Sequence, residues 1–321
     1  MSSVAIFAPS PTLTVTIEEH ESGDEIHIHA GGQGVWQARM LRTLGIEVTL
    51  CCAITGESGT VLRRILEDEG IAVAAVERPG RGAGYVHDRR EGHREVVAEE
   101  DGDALSRHDL DELYSLTLRE GLTTGLVILS GPDADSVLDA DTYRRLAADL
   151  RAGGARVVVD LAGDRLRSAL EGGVDVLKLS DEELTADGFT DDDVSSIQAA
   201  MRRLRDDGAD TVIVTRAPEP SLLLDGDGFL EVSPPSLEIV DTRGAGDSLT
   251  AGVVAAMTRG EQPREAVTLG AAAGALNVTR HGLGTGDGEA ILRLRESVAV
   301  RELSDEDRQD DSDDITEEDE R

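Results

Sequence analysis

Short apolar segments alternate with longer segments of helical period along most of this chain. The strand-like segments are 47–53, 125–130, 156–160, 174–179 and 211–215, and the helix-like segments are 61–69, 141–151 and 195–206. Such alternation is typical of a parallel sheet whose two faces are covered by helices. Its connections are right-handed crossovers, and its binding sites lie at the carboxyl ends of the strands. The sequence therefore predicts an α/β fold with a mostly parallel sheet.

Two segments depart from this alternation. Residues of about 12–30 and 83–100 alternate polar and apolar side chains with a period of two. A polar turn at 89–92 divides the second segment. A period of two is that of hairpin strands with one exposed face. We therefore expect a small additional β structure beside the main sheet.

A glycine-containing loop, Asp-Thr-Arg-Gly-Ala-Gly-Asp at 241–247, lies between a predicted strand at 237–240 and a predicted helix at 248–258. Glycines at the start of a helix let an anion approach backbone N–H groups that have no partner within the helix. The helix dipole adds positive potential there, so the loop predicts a site for a phosphoryl group. Asp247 is placed to take a proton from a hydroxyl that attacks phosphorus. The simpler alternative is a tight helix entry with an exposed acid.

A second glycine-rich turn occupies residues 30–39, which read Ala-Gly-Gly-Gln-Gly-Val-Trp-Gln-Ala-Arg. Together the two segments resemble the two signatures of the ribokinase-like, or PfkB, family of carbohydrate kinases. The opening at 10–17 is similar to the branch typified by 1-phosphofructokinase and tagatose-6-phosphate kinase. Further landmarks follow in family order: Leu129-Ser130-Gly131 with Tyr143, the strand ending at Asp160, and the segment 177–184. The resemblance runs from about residue 4 to about residue 295.

The resemblance implies an ATP-dependent kinase that phosphorylates a hydroxyl of a sugar or sugar phosphate. In this family the glycine loop is an anion hole, which assigns Gly244, Ala245 and Gly246 to the transferred phosphoryl group. Asp247 is then the catalytic base. The two period-two segments correspond to a β lid over the sugar site, and paired lids often form a homodimer.

The resemblance also implies a nucleotide site. Its residues are Ser180, Glu183, Thr215, Arg216 and Asn277. Glu183 matches an acid that helps to organise Mg²⁺ through water. Asp241 and the region 282–284 match positions that hold a monovalent cation, such as K⁺, in relatives.

The acceptor side departs from the family pattern. The branch usually has Asp where this chain has Thr14, Lys where it has Gln33 and Asn where it has Trp36. Losing such partners changes discrimination among polar substrates. We assign Thr14, Gly32, Gln33 and Trp36 to the acceptor. Trp36, the only tryptophan, either stacks on the sugar or packs into the core behind the turn, and the sequence leaves both open.

An acidic chain that binds phosphorylated ligands needs local positive charge. The branch has an arginine near the start of the second lid segment, and Arg81 is assigned to this role against a substrate phosphate. Arg89 and Arg90 are other candidates. Arg243, within the glycine loop, is an alternative that would face the phosphates.

The net charge of −34 argues against nucleic acid or an anionic membrane as a partner. We expect a kinase domain over 1–300 and an acidic, disordered, solubilising tail over 301–321. No signal peptide or apolar run of membrane-spanning length is found. The adjacent Cys51 and Cys52 point to opposite faces of a strand, so they do not pair, and they favour a reducing cytoplasm.

Two alternative functions remain. A kinase for a nucleoside or another alcohol would use Trp36 as an aromatic wall. A non-catalytic sensor of a nucleotide or sugar phosphate would explain why 215–220, Thr-Arg-Ala-Pro-Glu-Pro, replaces the usual glycine-containing nucleotide loop. The intact Asp247 argues against the sensor.

Overall fold

The computed structural model describes residues 2–132, 134–190, 193–279 and 284–303. Its strands are β1 Ser3–Phe7, β2 Thr12–His20, β3 Gly23–Gly31, β4 Glu47–Thr55, β5 Ala72–Arg78, β6 Gly84–Asp88, β7 Glu95–Glu100, β8 Leu126–Ser130, β9 Arg156–Asp160, β10 Val174–Ser180, β11 Ala209–Thr215, β12 Ser221–Asp225, β13 Gly228–Ser233 and β14 Ala299–Leu303. Its helices are α1 Gln33–Thr43, α2 Gly56–Asp68, α3 Arg107–Thr124, α4 Asp141–Ala152, α5 Gly163–Gly172, α6 Asp181–Ala186, α7 Val194–Asp206, α8 Ala245–Met257, α9 Pro263–Asn277 and α10 Gly288–Arg295, with a 3₁₀ turn at Asp135–Val137.

The main sheet has the strand order β14-β13-β12-β11-β10-β9-β8-β1-β4-β5. Strands β11 to β5 in this order are parallel to their neighbours, and β12, β13 and β14 add an antiparallel edge. One hydrophobic core packs α1, α2, α8, α9 and α10 on one face, and a second core packs α3, α4, α5, α6 and α7 on the other. The predicted α/β fold with a mostly parallel, doubly covered sheet is confirmed.

A separate sheet forms the lid, with the order β3-β2-β6-β7. Its register places Thr14 beside His29 on β3 and beside Tyr85 on β6. Neighbours in register share a face, so these polar side chains lie together. The expected small additional β structure is present, and its strands occupy the segments with a period of two, with β3 reaching Gly31.

The segment predicted as a strand at 237–240 is not one. It follows Pro234-Pro235 and pairs with no strand, and Val240 N–H donates instead to the carbonyl of Val278 at 2.7 Å. Proline supplies no N–H for a ladder, so the chain reaches the glycine loop as an extended connection.

The predicted boundary at residue 300 falls within a strand. β14 continues to Leu303 and pairs with β13 along its whole length. The rest of the predicted tail, 304–321, lies outside the described residues.

Helices α8 and α9 cross closely because glycines meet at the contact. A Cβ on Gly252 would lie 2.7 Å from the Cα of Gly270. A Cβ on Gly274 would lie 3.0 Å from the carbonyl oxygen of Ala245. The first turn of α8 is therefore held directly against α9. Within the described ranges, no helix combines the length and apolar character of a membrane span.

Candidate active site

The candidate site lies where β9 and β10 end, as predicted for a parallel sheet. These strands are neighbours, and their register sets Lys178 beside Asp160. Helices α1 and α8 pack together over this edge and bring Gln37 and Asp247 to the same place. Side chains from four elements therefore meet at one carboxyl edge of the main sheet.

The glycine loop has the geometry of an open helix N-terminus. Gly244, the residue before α8, is left-handed with φ of 72° and provides no side-chain cap. The Ser248 N–H already donates to the Gly244 carbonyl at 2.9 Å, and the Ala245 N–H makes a long bond of 3.4 Å to the Thr242 carbonyl. The other N–H groups of the first turn have no acceptor within the helix. This arrangement fits an anion such as a phosphoryl group.

Lys178 presses against this loop. A Cβ on Gly246 would lie 2.5 Å from Lys178 Nζ, so the absence of a side chain makes room for the ammonium. Its Nζ donates to Asp160 Oδ1 at 3.1 Å, and both side chains are buried. Burial lowers the pKa of Lys178, but three neighbouring carboxylates, led by Asp160, raise it above its ordinary value. A positive charge therefore stands beside the anion site.

Asp160 is the centre of a buried hydrogen-bond network. Its Oδ2 accepts from Gln37 Nε2 at 3.2 Å and from the Thr250 hydroxyl at 2.9 Å. Gln37 Oε1 accepts from the Ser130 hydroxyl at 2.5 Å. The Tyr143 hydroxyl in turn donates to the Ser130 carbonyl. A network in which each member is satisfied fixes side-chain positions.

Asp247 belongs to the same network, but its pKa is strongly raised. The Gln37 amide reaches its Oδ1 at 3.4 Å, and only 9% of the residue is exposed. Burial raises the pKa of Asp247 to about 8, and the negative charge of Asp160 acts in the same direction. Lys178 opposes this shift. A carboxylate with this pKa is a good proton acceptor once it is ionised.

Ser180 and Glu183 cap the N-terminus of helix α6. The Ser180 hydroxyl accepts from Glu183 N–H at 3.1 Å, and Glu183 Oε2 accepts from Ser180 N–H at 2.7 Å. This capping box starts α6 at the end of β10. Glu183 still contributes negative charge at Lys178 and Asp247.

The other predicted nucleotide residues are engaged within the protein. Thr215 ends β11 beside Ser180, and the buried Arg216 donates through Nε to the Pro220 carbonyl at 2.9 Å. Asn277 is 1% exposed. Its Nδ2 donates to the Arg243 carbonyl at 2.7 Å. This differs from the predicted adenine contact, because a buried, bonded amide positions the glycine loop instead.

Two arginines lie beside the carboxylate of Asp241. Arg243 Nη2 lies 2.7 Å from its Oδ2, and Arg243 Nε donates to its Oδ1 at 3.1 Å. Arg89, from the lid, lies 3.8 Å from the same Oδ2. Arg243 therefore bonds to a carboxylate, unlike the alternative in which it faces phosphates. Gly282 and Leu283 of the predicted cation region lie outside the described residues.

A cavity of about 190 Å³ lies between the lid strands and the start of α1. It contains three of the predicted acceptor residues, Thr14, Gly32 and Trp36. Trp36 is partly exposed there rather than packed away in the core. Its neighbour in α1, Gln37, bonds to Asp247, so one helix connects the cavity to the buried carboxylate.

Two predicted acceptor residues are placed elsewhere. Gln33 Oε1 accepts from Gly131 N–H at 2.9 Å, which joins α1 to the end of β8. The Arg81 side chain is 72% exposed and bonds to Asp103, and it does not line this cavity. Arg90 likewise pairs with Asp88 and Asp24. Sequence cannot reveal these partners, because they come from distant strands and turns.

The arginine that does line the cavity is Arg94, which sequence reasoning missed. Its guanidinium lies 5.1 Å from the centre of the Tyr85 ring, and its Nη2 approaches His87 Nε2 at 3.2 Å. No described carboxylate pairs with it, and its buried Nε has no hydrogen-bond partner within the described part of the chain. Burial lowers the pKa of Arg94, and nearby Arg243 lowers it further. His87 is buried, which lowers its pKa to about 4, so it is neutral.

Acidic residues line the same cavity. They are Glu99, Glu100 and Asp101. The cavity lining therefore combines one guanidinium with three acidic side chains. A ligand that carries both an anion and hydroxyl groups suits this combination.

An anion-binding helix start, a buried carboxylate and a lidded polar cavity together suit a phosphotransferase that acts on a small polar molecule. The chain belongs to the pfkB family of carbohydrate kinases, whose model matches residues 8–289. The family and the kinase activity predicted from the two signatures are confirmed.

Two related sequences and one solved structure are similar to this chain over most of its length. The chain is 32% identical over 249 residues to the 1-phosphofructokinase of Rhodobacter capsulatus, covering 76% of this chain and 78% of the relative. It is 28% identical over 282 residues to the 1-phosphofructokinase of Bacillus subtilis, covering 86% and 89%. The solved structure of phosphofructokinase-2 from Escherichia coli in complex with potassium has the same fold, with a TM-score of 0.81, 23% identity, and coverage of 92% of this chain and 99% of that chain.

Proposed function

We propose that this kinase transfers the γ-phosphoryl group of ATP to a hydroxyl of a sugar phosphate, with Asp247 as the base. The observation that carries the proposal is the buried Asp247 carboxylate at the open start of α8, with its pKa raised to about 8. The acceptor oxygen forms a bond to phosphorus as its proton passes to Asp247. The bond from phosphorus to the β-phosphate oxygen breaks, and ADP leaves.

The glycine loop and Lys178 stabilise the charge that moves during transfer. The amides of Gly244, Ala245 and Gly246 face the γ-phosphoryl group, and Lys178 adds a fixed positive charge beside Gly246. Bound with ATP, Mg²⁺ supplies further positive charge on the phosphates. Glu183 is assigned to it through water, as the family resemblance implies.

Arg94 is the proposed anchor for the acceptor's own phosphate. Each of the other lid arginines discussed above faces carboxylates, whereas Arg94 reaches the cavity with a donor unsatisfied within the described part of the chain. A phosphate would fill that donor in a charge-assisted, bidentate contact. The acidic residues of the cavity then receive sugar hydroxyls. The 1-phosphofructokinases of Rhodobacter capsulatus and Bacillus subtilis, which are similar to this chain, support a phosphorylated acceptor.

The lid is proposed to form a homodimer. Val15, Ile17, Ile26, Ile28 and Val86 share the face opposite Thr14, according to the register, and Ile26 and Ile28 are 67% and 55% exposed. A second copy of the lid would cover this apolar face. We also propose a cytoplasmic enzyme, since Cys51 and Cys52 are free and buried.

The test is ADP release from Mg-ATP with a panel of sugars, hexose phosphates and nucleosides. Asp247→Asn is the matched variant, since it preserves shape and removes the base. We expect turnover on a hexose phosphate and a fall of ~10²–10⁴ in the variant. Near-normal turnover in Asp247→Asn would remove Asp247 from this role, and turnover only on nucleosides would favour the alternative acceptor.

A further inference from the structure

Arg243 pairs with the carboxylate of Asp241, which the family resemblance assigns to a monovalent cation. Its guanidinium contacts both Asp241 oxygens, at 2.7 and 3.1 Å, and its backbone N–H donates to Oδ1 at 3.1 Å. Three donors from one residue therefore surround one carboxylate. Planar, bidentate contacts of this kind hold both partners in fixed geometry.

A second arginine adds positive charge at the same place. Arg89 reaches Asp241 Oδ2 at 3.8 Å from the lid turn, and it also faces Glu18 at 3.7 Å. The Asp241 side chain is only 13% exposed, so solvent screens these charges weakly. A further cation at Asp241 would meet two guanidinium groups and no unpaired carboxylate oxygen.

The backbone of the loop is also held by groups within the chain. The Arg243 carbonyl, a potential oxygen ligand, accepts from Asn277 Nδ2 at 2.7 Å. Asn277 Oδ1 in turn accepts from Gly284 N–H at 3.2 Å. The start of the glycine loop is thus ordered from both sides, and the described groups around Asp241 do not fit a K⁺ site there.

We propose that Arg243 acts as a built-in cation that replaces a bound monovalent ion, so that catalysis in this protein is independent of K⁺. The guanidinium neutralises Asp241 and orders the loop that leads to Gly244 and Asp247. The activity part of this inference rests on the proposed kinase reaction, whereas its thermal-stability part does not.

The experiment uses the full-length protein at constant ionic strength in KCl, NaCl or choline chloride. For the parent, we expect equal ADP release and equal melting temperature in the three salts. For Arg243→Ala, we expect activity in choline chloride to fall by about tenfold or more, as for loss of charge-assisted hydrogen bonds. KCl should restore part of that activity with saturation, and should raise the melting temperature of this variant selectively.

Arg90→Ala is the matched control, because Arg90 pairs with Asp88 and Asp24 in the lid. It should respond to the three salts as the parent does. Saturable K⁺ activation of the parent would overturn the inference, and so would an Arg243→Ala variant that is active without K⁺ or is not rescued by it. If no acceptor supports turnover in any salt, the proposed function fails, and the melting temperatures still decide between a built-in and a bound cation.

Discussion

The phosphoryl-transfer side and the acceptor side of this molecule are built in opposite ways. At the transfer side, Asp160 accepts three hydrogen bonds, from Gln37, Lys178 and Thr250. At the acceptor side, Arg94 Nε and His87 Nδ1 are buried and have no partner among the described residues. The Asp160 network is satisfied within the protein, although the buried Ser248 hydroxyl beside Asp247 has no partner among the described residues. The acceptor side leaves the cavity-lining Arg94 incompletely bonded.

This difference matches the separate requirements of phosphoryl transfer and of acceptor recognition. Charge stabilisation in phosphoryl transfer depends on groups that are already in place, and a saturated buried network supplies them. Recognition of a polar acceptor depends on donors that are costly to leave unpaired, which penalises the wrong ligand. The two strategies share helix α1, through Trp36 in the cavity and Gln37 in the network.

Among variants that keep the Asp247 carboxylate, the largest expected effect comes from crowding the transfer side. In Gly246→Ala, the new Cβ would lie 2.5 Å from Lys178 Nζ, so the ammonium must move away from Asp160 and the loop. We expect turnover to fall by ~10²–10³, as when one oxyanion donor is lost. Gly226→Ala, in the turn before β13, has no atom within 4 Å of its Cβ and should retain parental turnover in the same assay. Parental turnover in Gly246→Ala would show that this side tolerates rearrangement.

A smaller and more selective effect is expected at the acceptor side. Arg94→Gln removes the proposed phosphate anchor, which should raise KM for a phosphorylated acceptor by ~10–100-fold, since charged hydrogen bonds contribute about 1.5–3 kcal/mol. Values of kcat should change little, and an unphosphorylated sugar should be unaffected. Arg90→Gln is the control, because Arg90 pairs with Asp88 and Asp24 and does not line this cavity. Equal effects on both acceptors would contradict the anchor.

The pH dependence of kcat/KM tests the role of Asp247 on the transfer side. Asp247 must be ionised to accept a proton, and its pKa is raised to about 8. The value of kcat/KM should therefore rise about tenfold per pH unit below this pKa and level off above it. A profile that is flat from pH 6 to about 9 would contradict the base assignment.

Asp247 should also make the stability of the folded protein depend on pH, and this stability should fall where kcat/KM rises. Because its pKa is raised from 3.8 to about 8, the folded protein holds a proton that the unfolded chain releases. The free energy of unfolding of the ligand-free protein therefore falls as pH rises between these values. Melting temperatures of Asp247→Asn should lack this part of the decline. If parent and variant decline in parallel, burial of the charge does not limit stability.

The smallest effect on turnover is expected at the outer face of the lid. Ile28→Glu places a charge on the apolar face that we assign to the dimer, so the variant should sediment as a monomer while turnover changes by only a few-fold. Val61→Glu is a control on helix α2, where Val61 is 43% exposed. A parent that is already monomeric would contradict the dimer.

Much of the fold could be predicted because local period and sheet rules agree. The strands around the site were recognisable as short apolar segments, and β9 was predicted with its observed bounds. The strand expected at 237–240 shows the limit of this reasoning. Three of its four residues are apolar, but Ile239 is 58% exposed. No strand in the described part of the chain pairs with this segment, and a strand needs a partner.

The candidate site was predictable where chain order determines geometry. Asp247 follows its loop directly, and Asp160 and Lys178 lie in register near the carboxyl ends of adjacent parallel strands, so their meeting could have been inferred from strand order. Arg94 could not be distinguished from Arg81 in this way. Which lid arginine lacks a carboxylate depends on side-chain partners across strands and turns, and the local pattern carries no record of them.

Lys178 has one more consequence, because it is the only lysine among the 321 residues. A protease that cleaves solely after lysine has one target bond in this chain, inside β10 and between the hydrogen-bonded strands β9 and β11. Fraying of an end or a loop cannot expose that bond, so cutting requires the middle of the main sheet to open. The two fragments that result, 1–178 and 179–321, would therefore report the opening of the catalytic centre as a pair of bands on a gel.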